Sequence, residues 1–429
     1  MSAAWSRLAL RVSALGLKFM LTIAVARMLG FDAVAVYGFA LAVSVVASKV
    51  LGLGFSTEIN RRLSGREPRE AIRTCVRLFG LYGGVYAMLC GLAALPGWAS
   101  GAWRVAALPG MPLVLVALIA CAEHAALEVN TWLFSLHRTR AASWLLFVRA
   151  GAWAGVAIAA LAAGAIDSIN GLFAIWLVAN VGVVAIGWAL IVRVARSLPA
   201  PSAGFAAPSG LARVWRDGLP FFVALLLLSV LQYLERFVGS AMLDANELGR
   251  YVFVWSIANA IQTIASATVV AVAAPRLVRT LDGTHGAAQA FRRELAQSLR
   301  ASLALTGAAA IAIAVAHGWI FRLAHAGGGA APTAIFMVLL LSFMLRAAAD
   351  VLWAAAVALR AGRVVAGVMA ALTIVCVPMS ISLVHEQRAL GAAGAHLVAS
   401  IAVTAWLAWI VMSRLPVARR ARPGSADAA

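Results

Sequence analysis

The chain has 429 residues, 63% of them hydrophobic and only 12% charged, with a mean hydropathy of +0.94 and a formal net charge of +19. Soluble domains are nearer half apolar and a quarter charged, so a soluble fold is excluded, and apolar runs recurring from end to end define a polytopic membrane protein. The runs are uninterrupted over about 20 residues, which disfavours a β-barrel of tilted ten-residue alternations. The basic residues fall in short clusters between runs and not along one stripe, which disfavours nucleic-acid binding.

Taken in chain order, twelve runs reach the roughly 20 residues needed to cross a hydrocarbon core of about 30 Å. They are 8–29, 34–57, 76–95, 112–134, 143–161 and 170–192, then 219–243, 248–274, 299–320, 332–359, 364–384 and 392–412. Helix is the required conformation, because no water reaches the backbone there. The first run follows arginines and has no small-residue cleavage site after it, so it reads as a retained signal-anchor.

The segments between runs alternate in charge. One side carries 25 arginines, among them Arg61, Arg62, Arg66, Arg69, Arg73 and Arg77 after the second run and Arg360 and Arg363 after the tenth. The other carries Arg104, Arg250, Arg322 and Arg388. By the positive-inside rule both termini face the cytoplasm, and the alternation requires an even number of spans.

The longest polar stretch between spans, 195–216, has SLPAPSAGFAAPSG at its centre and reads as a linker. It divides the chain into a six-helix bundle at 1–194 and another at 217–413, followed by a basic tail at 414–429. The halves look related. MLGFDAVAVY (28–37) joins spans one and two, and MLDANELGRY (242–251) joins spans seven and eight, with a tyrosine nine residues after each methionine. Parallel repeats of this kind place a substrate site between them in known transporters.

Six basic residues fall within spans: Lys18, Arg27, Lys49, Arg149, Arg236 and Arg346. Arg27 is close enough to an end to snorkel. Each of the others costs about 2.5–3.5 kcal/mol at mid-span, so they are expected to face a wet cavity or a partner. Lys18 and Lys49 are the only lysines beside 33 arginines. Helical spacing gathers Ser44, Lys49, Gly52 and Ser56 on one face, as it does Ser229, Gln232, Arg236 and Gly239, and Ser342, Arg346, Asp350 and Trp353. The intramembrane acids are Glu123, Glu128, Glu235 and Asp350. Asp350 lies four residues after Arg346, in pairing distance on one helix, and His124 stands in the same relation to Glu128, as a proton-responsive pair or a satisfied polar contact. Lys18, Lys49 and Arg149 have no acid within reach on their own helices. They predict a positive cavity and an anionic cargo. Cys75, Cys90, Cys121 and Cys376 are scattered and read as small buried residues, with neither metal nor cofactor implied.

ARMLGFDAVAVYGFALAVSVVASKVLGLGFSTEINRRL (26–63) and GLPFFVALLLLSVLQYLERFVGSAMLDANELGRYVF (218–253) resemble segments of the bacterial Wzx-type polysaccharide flippases, members of the multidrug/oligosaccharidyl-lipid/polysaccharide flippase superfamily. The resemblance lies in Arg-x-Leu-Gly, Tyr-Gly and Gly-Leu-Gly in the first segment and Leu-Pro and Leu-Gly-x-Tyr in the second. Glu235-Arg236 stands where Asp-Arg is more usual. The resemblance implies two six-helix bundles around a central cavity, alternating between the two sides of the bacterial inner membrane. It implies undecaprenyl-pyrophosphate-linked oligosaccharide as cargo, an ion gradient as driving force, and a polysaccharide polymerase and chain-length regulator as partners. Carried over to this chain, Lys18, Lys49, Arg149, Arg236 and Arg346 would bind the pyrophosphate, and Glu123, Glu128, Glu235 and Asp350 would couple the ion. No catalytic residue is implied. The alternatives are a multidrug exporter of the same superfamily, whose cavity would be acidic or aromatic, and a membrane glycosyltransferase or polymerase, which would carry a long catalytic outward loop. Lipid II flippases are close in cargo but resemble fourteen-span proteins. No GxxxxGK[ST] is present, and the GxG at Gly52–Gly54 reads as a packing step inside a membrane helix.

Overall fold

In hydrocarbon each backbone N–H and C=O must be satisfied within its own segment, and the apolar runs form helices from end to end. The computed structural model describes residues 3–64, 68–95, 108, 111–198, 211–281, 287–325 and 329–415. The predicted linker and basic tail lie largely outside the described residues, as does Arg104.

The first half contains α1 (Ala3–Met28), α2 (Phe31–Leu51), the short α3 (Phe55–Leu63), α4 (Pro68–Ala93), α5 (Leu113–Ser135), α6 (Thr139–Ala162) and α7 (Ile169–Ser197). The second contains α8 (Leu211–Met242), α9 (Ala245–Leu281), α10 (Ala287–Leu323), α11 (Ala330–Ala358) and α12 (Gly362–Arg414). Among the described residues, eleven helices are long and apolar enough to cross a membrane. The last has 53 residues and leaves helical geometry at Arg388 (φ 55°, ψ −131°). Straight, it would run roughly 80 Å, far beyond a bilayer; its two arms coincide with the predicted spans 364–384 and 392–412.

Local chemistry holds that break. Asp244 caps α9 by accepting from the Glu247 amide at 2.8 Å. Glu247 then receives Arg388 Nη2 at 2.7 Å and the Ala389 amide at 3.2 Å, while Arg388 Nη1 donates to the Met242 carbonyl at 2.8 Å. One acidic turn thereby pins the loop between the arms of α12.

The predicted helix 34–57 is instead broken. α2 stops at Leu51, and Leu53 (φ 47°) and Gly54 (φ 83°) take left-handed backbone before α3 begins. The Gly-Leu-Gly is therefore a joint and not a step within one helix. Gly218 at the membrane entry of α8 packs so tightly there that an added Cβ would stand 2.0 Å from the Gly54 carbonyl oxygen.

The two similar segments, 28–37 and 242–251, meet. Phe31 and Phe253 pack edge to face at 5.9 Å, and the Arg250 guanidinium stands 4.7 Å from the Phe31 ring centre. A Cβ on Gly249 would lie 1.8 Å from the Phe31 carbonyl oxygen, and one on Gly38 would lie 2.2 Å from Val252. Tyr37 and Tyr251 are both buried beside this seam. The largest apolar cluster draws on helices from both halves and includes these residues; two smaller clusters belong to one half each.

Candidate functional site

On α1, Ala14, Leu21, Thr22 and Val25 are buried, while Val12, Gly16, Met20 and Met28 are exposed. Lys18 stands four residues after Ala14 and four before Thr22, so helical spacing puts it on the protein-facing stripe. It is half-buried and lies in the electrostatic range of Glu123 and Arg149. Lys49, three residues before buried Gly52, is also half-buried and feels Arg149 and Glu128. Among the described residues, neither ammonium nitrogen has a hydrogen bond or ion pair.

Arg149 differs from its expectation as an unpaired cation. It donates from Nη1 to Glu123 Oε2 at 2.7 Å, with side chains 18% and 11% exposed. Glu123 Oε1 accepts from Trp176 Nε1 at 2.8 Å and from Asn180 Nδ2 at 3.4 Å. Arg149 sits in a π-helical turn, Val148–Ala152. Such a turn disturbs the carbonyl ladder, and here Trp153 Nε1 donates to the Arg149 carbonyl at 3.1 Å. Spacing along one helix does not reveal this partner, because Glu123 stands on a neighbour, α5. The usable signal is that a carboxylate and a guanidinium deep in two spans each need a countercharge.

One turn along α5, Ser56 donates to Glu128, His124 Nε2 stands 3.8 Å from the same carboxylate, and the Tyr86 hydroxyl contacts His124 Nδ1. Tyr82 donates to the Gly52 carbonyl at 3.2 Å. Lys18, Lys49, Arg149, Glu123 and Glu128 thus form one charged group with net charge +1 if all are ionised, reaching from α1 and α2 to α5 and α6.

The second half treats its charges otherwise. Arg236, expected to line a wet cavity, is 1% exposed. It stands 3.7 Å over the Trp255 ring and 5.3 Å from Tyr233, and donates to the Gly38 carbonyl at 2.9 Å. Trp255 Nε1 in turn donates to Glu235 at 2.9 Å. Arg346 is 2% exposed and donates to Ser400 Oγ and the Leu231 carbonyl, both at 3.0 Å. The expected Arg346–Asp350 pair does not form. Asp350 accepts from Gln262 at 3.0 Å and from Ser266, which lies in the π-helical turn Ser266–Val270 of α9. Aromatic faces, the Ser400 hydroxyl and backbone carbonyls enclose these arginines, with Arg236 Nε and Nη2 buried without a hydrogen-bond partner, an outcome that helical spacing along one segment does not encode. Of the five sequence-predicted cations, the structure gathers Lys18, Lys49 and Arg149 and separates off Arg236 and Arg346.

Long apolar helices packed into a bundle, with Lys18, Lys49 and Arg149 on α1, α2 and α6, are the architecture of a multi-pass membrane protein. The fold is similar to a structure described as lipid II flippase MurJ in an inward closed conformation, at 12% identity over 94% of this chain and 89% of that one, with a TM-score of 0.68. It is similar to a MATE transporter in a bent conformation at 15% identity, covering 96% of both chains with a TM-score of 0.62. A transporter of the MOP superfamily from Pyrococcus furiosus, its binding pocket described as reversed in polarity, matches at 15% identity over 96% of both chains, with a TM-score of 0.55. No curated relative matches the chain. Residues 5–281 match the polysaccharide biosynthesis protein family, and the chain belongs to that family.

Proposed function

We propose that this multi-pass membrane protein flips an undecaprenyl-pyrophosphate-linked oligosaccharide from the cytoplasmic to the periplasmic leaflet of the bacterial inner membrane. The observation that carries this reading is that Lys18 and Lys49 keep half-buried, unpartnered ammonium groups on the protein-facing side of their helices. A compact ammonium with three donors suits a mobile phosphate. Arg149 takes part by exchanging Glu123 for the incoming pyrophosphate. Arg236 and Arg346, sealed from solvent, act at most through a different conformation.

Both termini face the cytoplasm, and the two six-helix bundles open alternately. The seam of Phe31, Gly38, Gly249 and Val252 is the closed gate on the periplasmic side. An ion gradient drives the cycle, and Glu123, Glu128, Glu235 and Asp350 are the carboxylates suited to coupling.

The test is complementation. In a strain lacking its native copy, Lys18→Ala and Lys49→Ala, each present at normal membrane abundance, abolish surface polysaccharide, while Lys18→Arg and Lys49→Arg retain much of it. Full complementation by both alanine variants removes the pyrophosphate-site assignment.

A further inference from the structure

Four arginines converge on one open cleft away from the site above. Arg216 from the start of α8, Arg360 and Arg363 from the turn between α11 and α12, and Arg414 from the end of α12 line a cavity of about 850 Å³ with Pro220, Phe221, Ala361 and Gly362. All four arginines are exposed, and among the described residues none of their guanidinium groups has a hydrogen bond or ion pair. A role in topology asks only that positive charge lie near the ends of spans. It does not ask that three separate segments bring it to one cavity.

The backbone is committed to this arrangement. Arg360 has φ 53°, the left-handed conformation in which a helix end favours glycine. Its amide bonds the Val357 carbonyl at 3.0 Å, and the Ala361 amide bonds the Ala356 carbonyl at 3.0 Å. Gly362 then packs where an added Cβ would stand 2.9 Å from the Phe221 ring. One to three residues along the chain from these arginines, Trp215, Val357 and Met412 are exposed apolar side chains. An exposed tryptophan next to arginine, at the end of membrane-length helices, marks the headgroup level of a bilayer.

We propose that this cleft binds the phosphate of an anionic phospholipid from the surrounding leaflet, with the headgroup among the four arginines and the acyl chains against Trp215, Val357 and Met412. The charge is complementary, since basic pockets between membrane helices hold anionic headgroups. Pro220, Phe221 and Ala361 in the lining favour a lipid over a free anion, which has no use for an apolar wall. The site joins the start of α8 to the α11–α12 turn, so an occupied cleft ties those elements together. It is independent of which cargo the transporter carries.

The full chain, purified in detergent and stripped of lipid, is titrated with short-chain phosphatidylglycerol, short-chain phosphatidylcholine or inorganic phosphate. Native mass spectrometry reads occupancy, and the thermal midpoint reads stabilisation. Phosphatidylglycerol is expected to bind at least about tenfold more tightly than phosphatidylcholine, and more weakly as ionic strength rises. Arg360→Gln/Arg363→Gln lowers that affinity on the order of tenfold or more, while Arg360→Lys/Arg363→Lys keeps most of it. The wild-type comparison of the two lipids stands even if the double variant fails to fold. Equal binding of the two lipids, or unchanged binding by a folded glutamine variant, overturns the site. Stabilisation by millimolar inorganic phosphate that phosphatidylglycerol does not exceed overturns the lipid assignment.

Discussion

Lys18 and Arg236 stand on the helices that open the two halves of the chain, α1 and α8, and both put a positive charge inside a membrane span. Lys18 keeps accessible surface and no partner, with Glu123 and Arg149 in its field. Arg236 is sealed against Trp255, Tyr233 and the Gly38 carbonyl. The cost of an intramembrane cation is thus met in two ways. A charge enclosed by aromatic rings and backbone holds the structure together; a charge left without a partner is available to a ligand. Arg149 falls between them, paired with Glu123 but not sealed.

The strongest way to break this contrast is Arg236→Ala. It leaves Glu235 buried without its neighbouring cation and empties the space over Trp255, so a loss of about 3–5 kcal/mol is expected, read as a collapse in folded yield and thermal midpoint. A folded, equally stable variant that lost only transport would place Arg236 with Lys18. Arg149→Ala should cost less, about 1–3 kcal/mol after discounting for its partial exposure. A double-mutant cycle with Glu123→Ala should return a coupling energy of that size, and no coupling would mean that the pair is incidental. Gly249→Ala drives a methyl into the Phe31 carbonyl, at a cost of about 1–3 kcal/mol to the closed seam. The proposed outward-open state should then be more populated, so a cysteine placed at Ala33 should react faster with an impermeant maleimide. Glu247→Ala releases Arg388 but acts on a largely exposed pair, so about 1 kcal/mol or less is expected in thermal unfolding. Smallest of all, Lys18→Ala and Lys49→Ala should leave the thermal midpoint within about a degree of wild type or slightly raised, because no partner is orphaned. A large loss of stability in either would show that the ammonium is structural.

Much of the fold was legible. Run length named most of the spans, and the segments 28–37 and 242–251, alike in sequence, pack against each other at Phe31 and Gly249. The turn at Arg388 was expected, but not the Glu247 clamp that holds it, because hydrogen bonds between distant loops leave no periodic trace. Lys18 and Lys49 stood out as rare ammonium groups in apolar runs, and both are half-buried without a hydrogen-bond partner. The pairing of Arg149 was hidden because its carboxylate is on another helix. The pairing proposed for Arg346 and Asp350 failed for a related reason: spacing along one helix shows which residues could touch, not which competing donors stand across from them. Ser400 and the Leu231 carbonyl took the guanidinium, while Gln262 and Ser266 took the carboxylate.

Composition and periodicity by themselves determined that this chain is a bundle of membrane-spanning helices, because apolar length and backbone satisfaction in lipid are local requirements. Tertiary structure alone decided which buried charges are neutralised and which stay open. That outcome depends on groups brought together from helices far apart in sequence, where the low dielectric makes every partner, and every missing one, count.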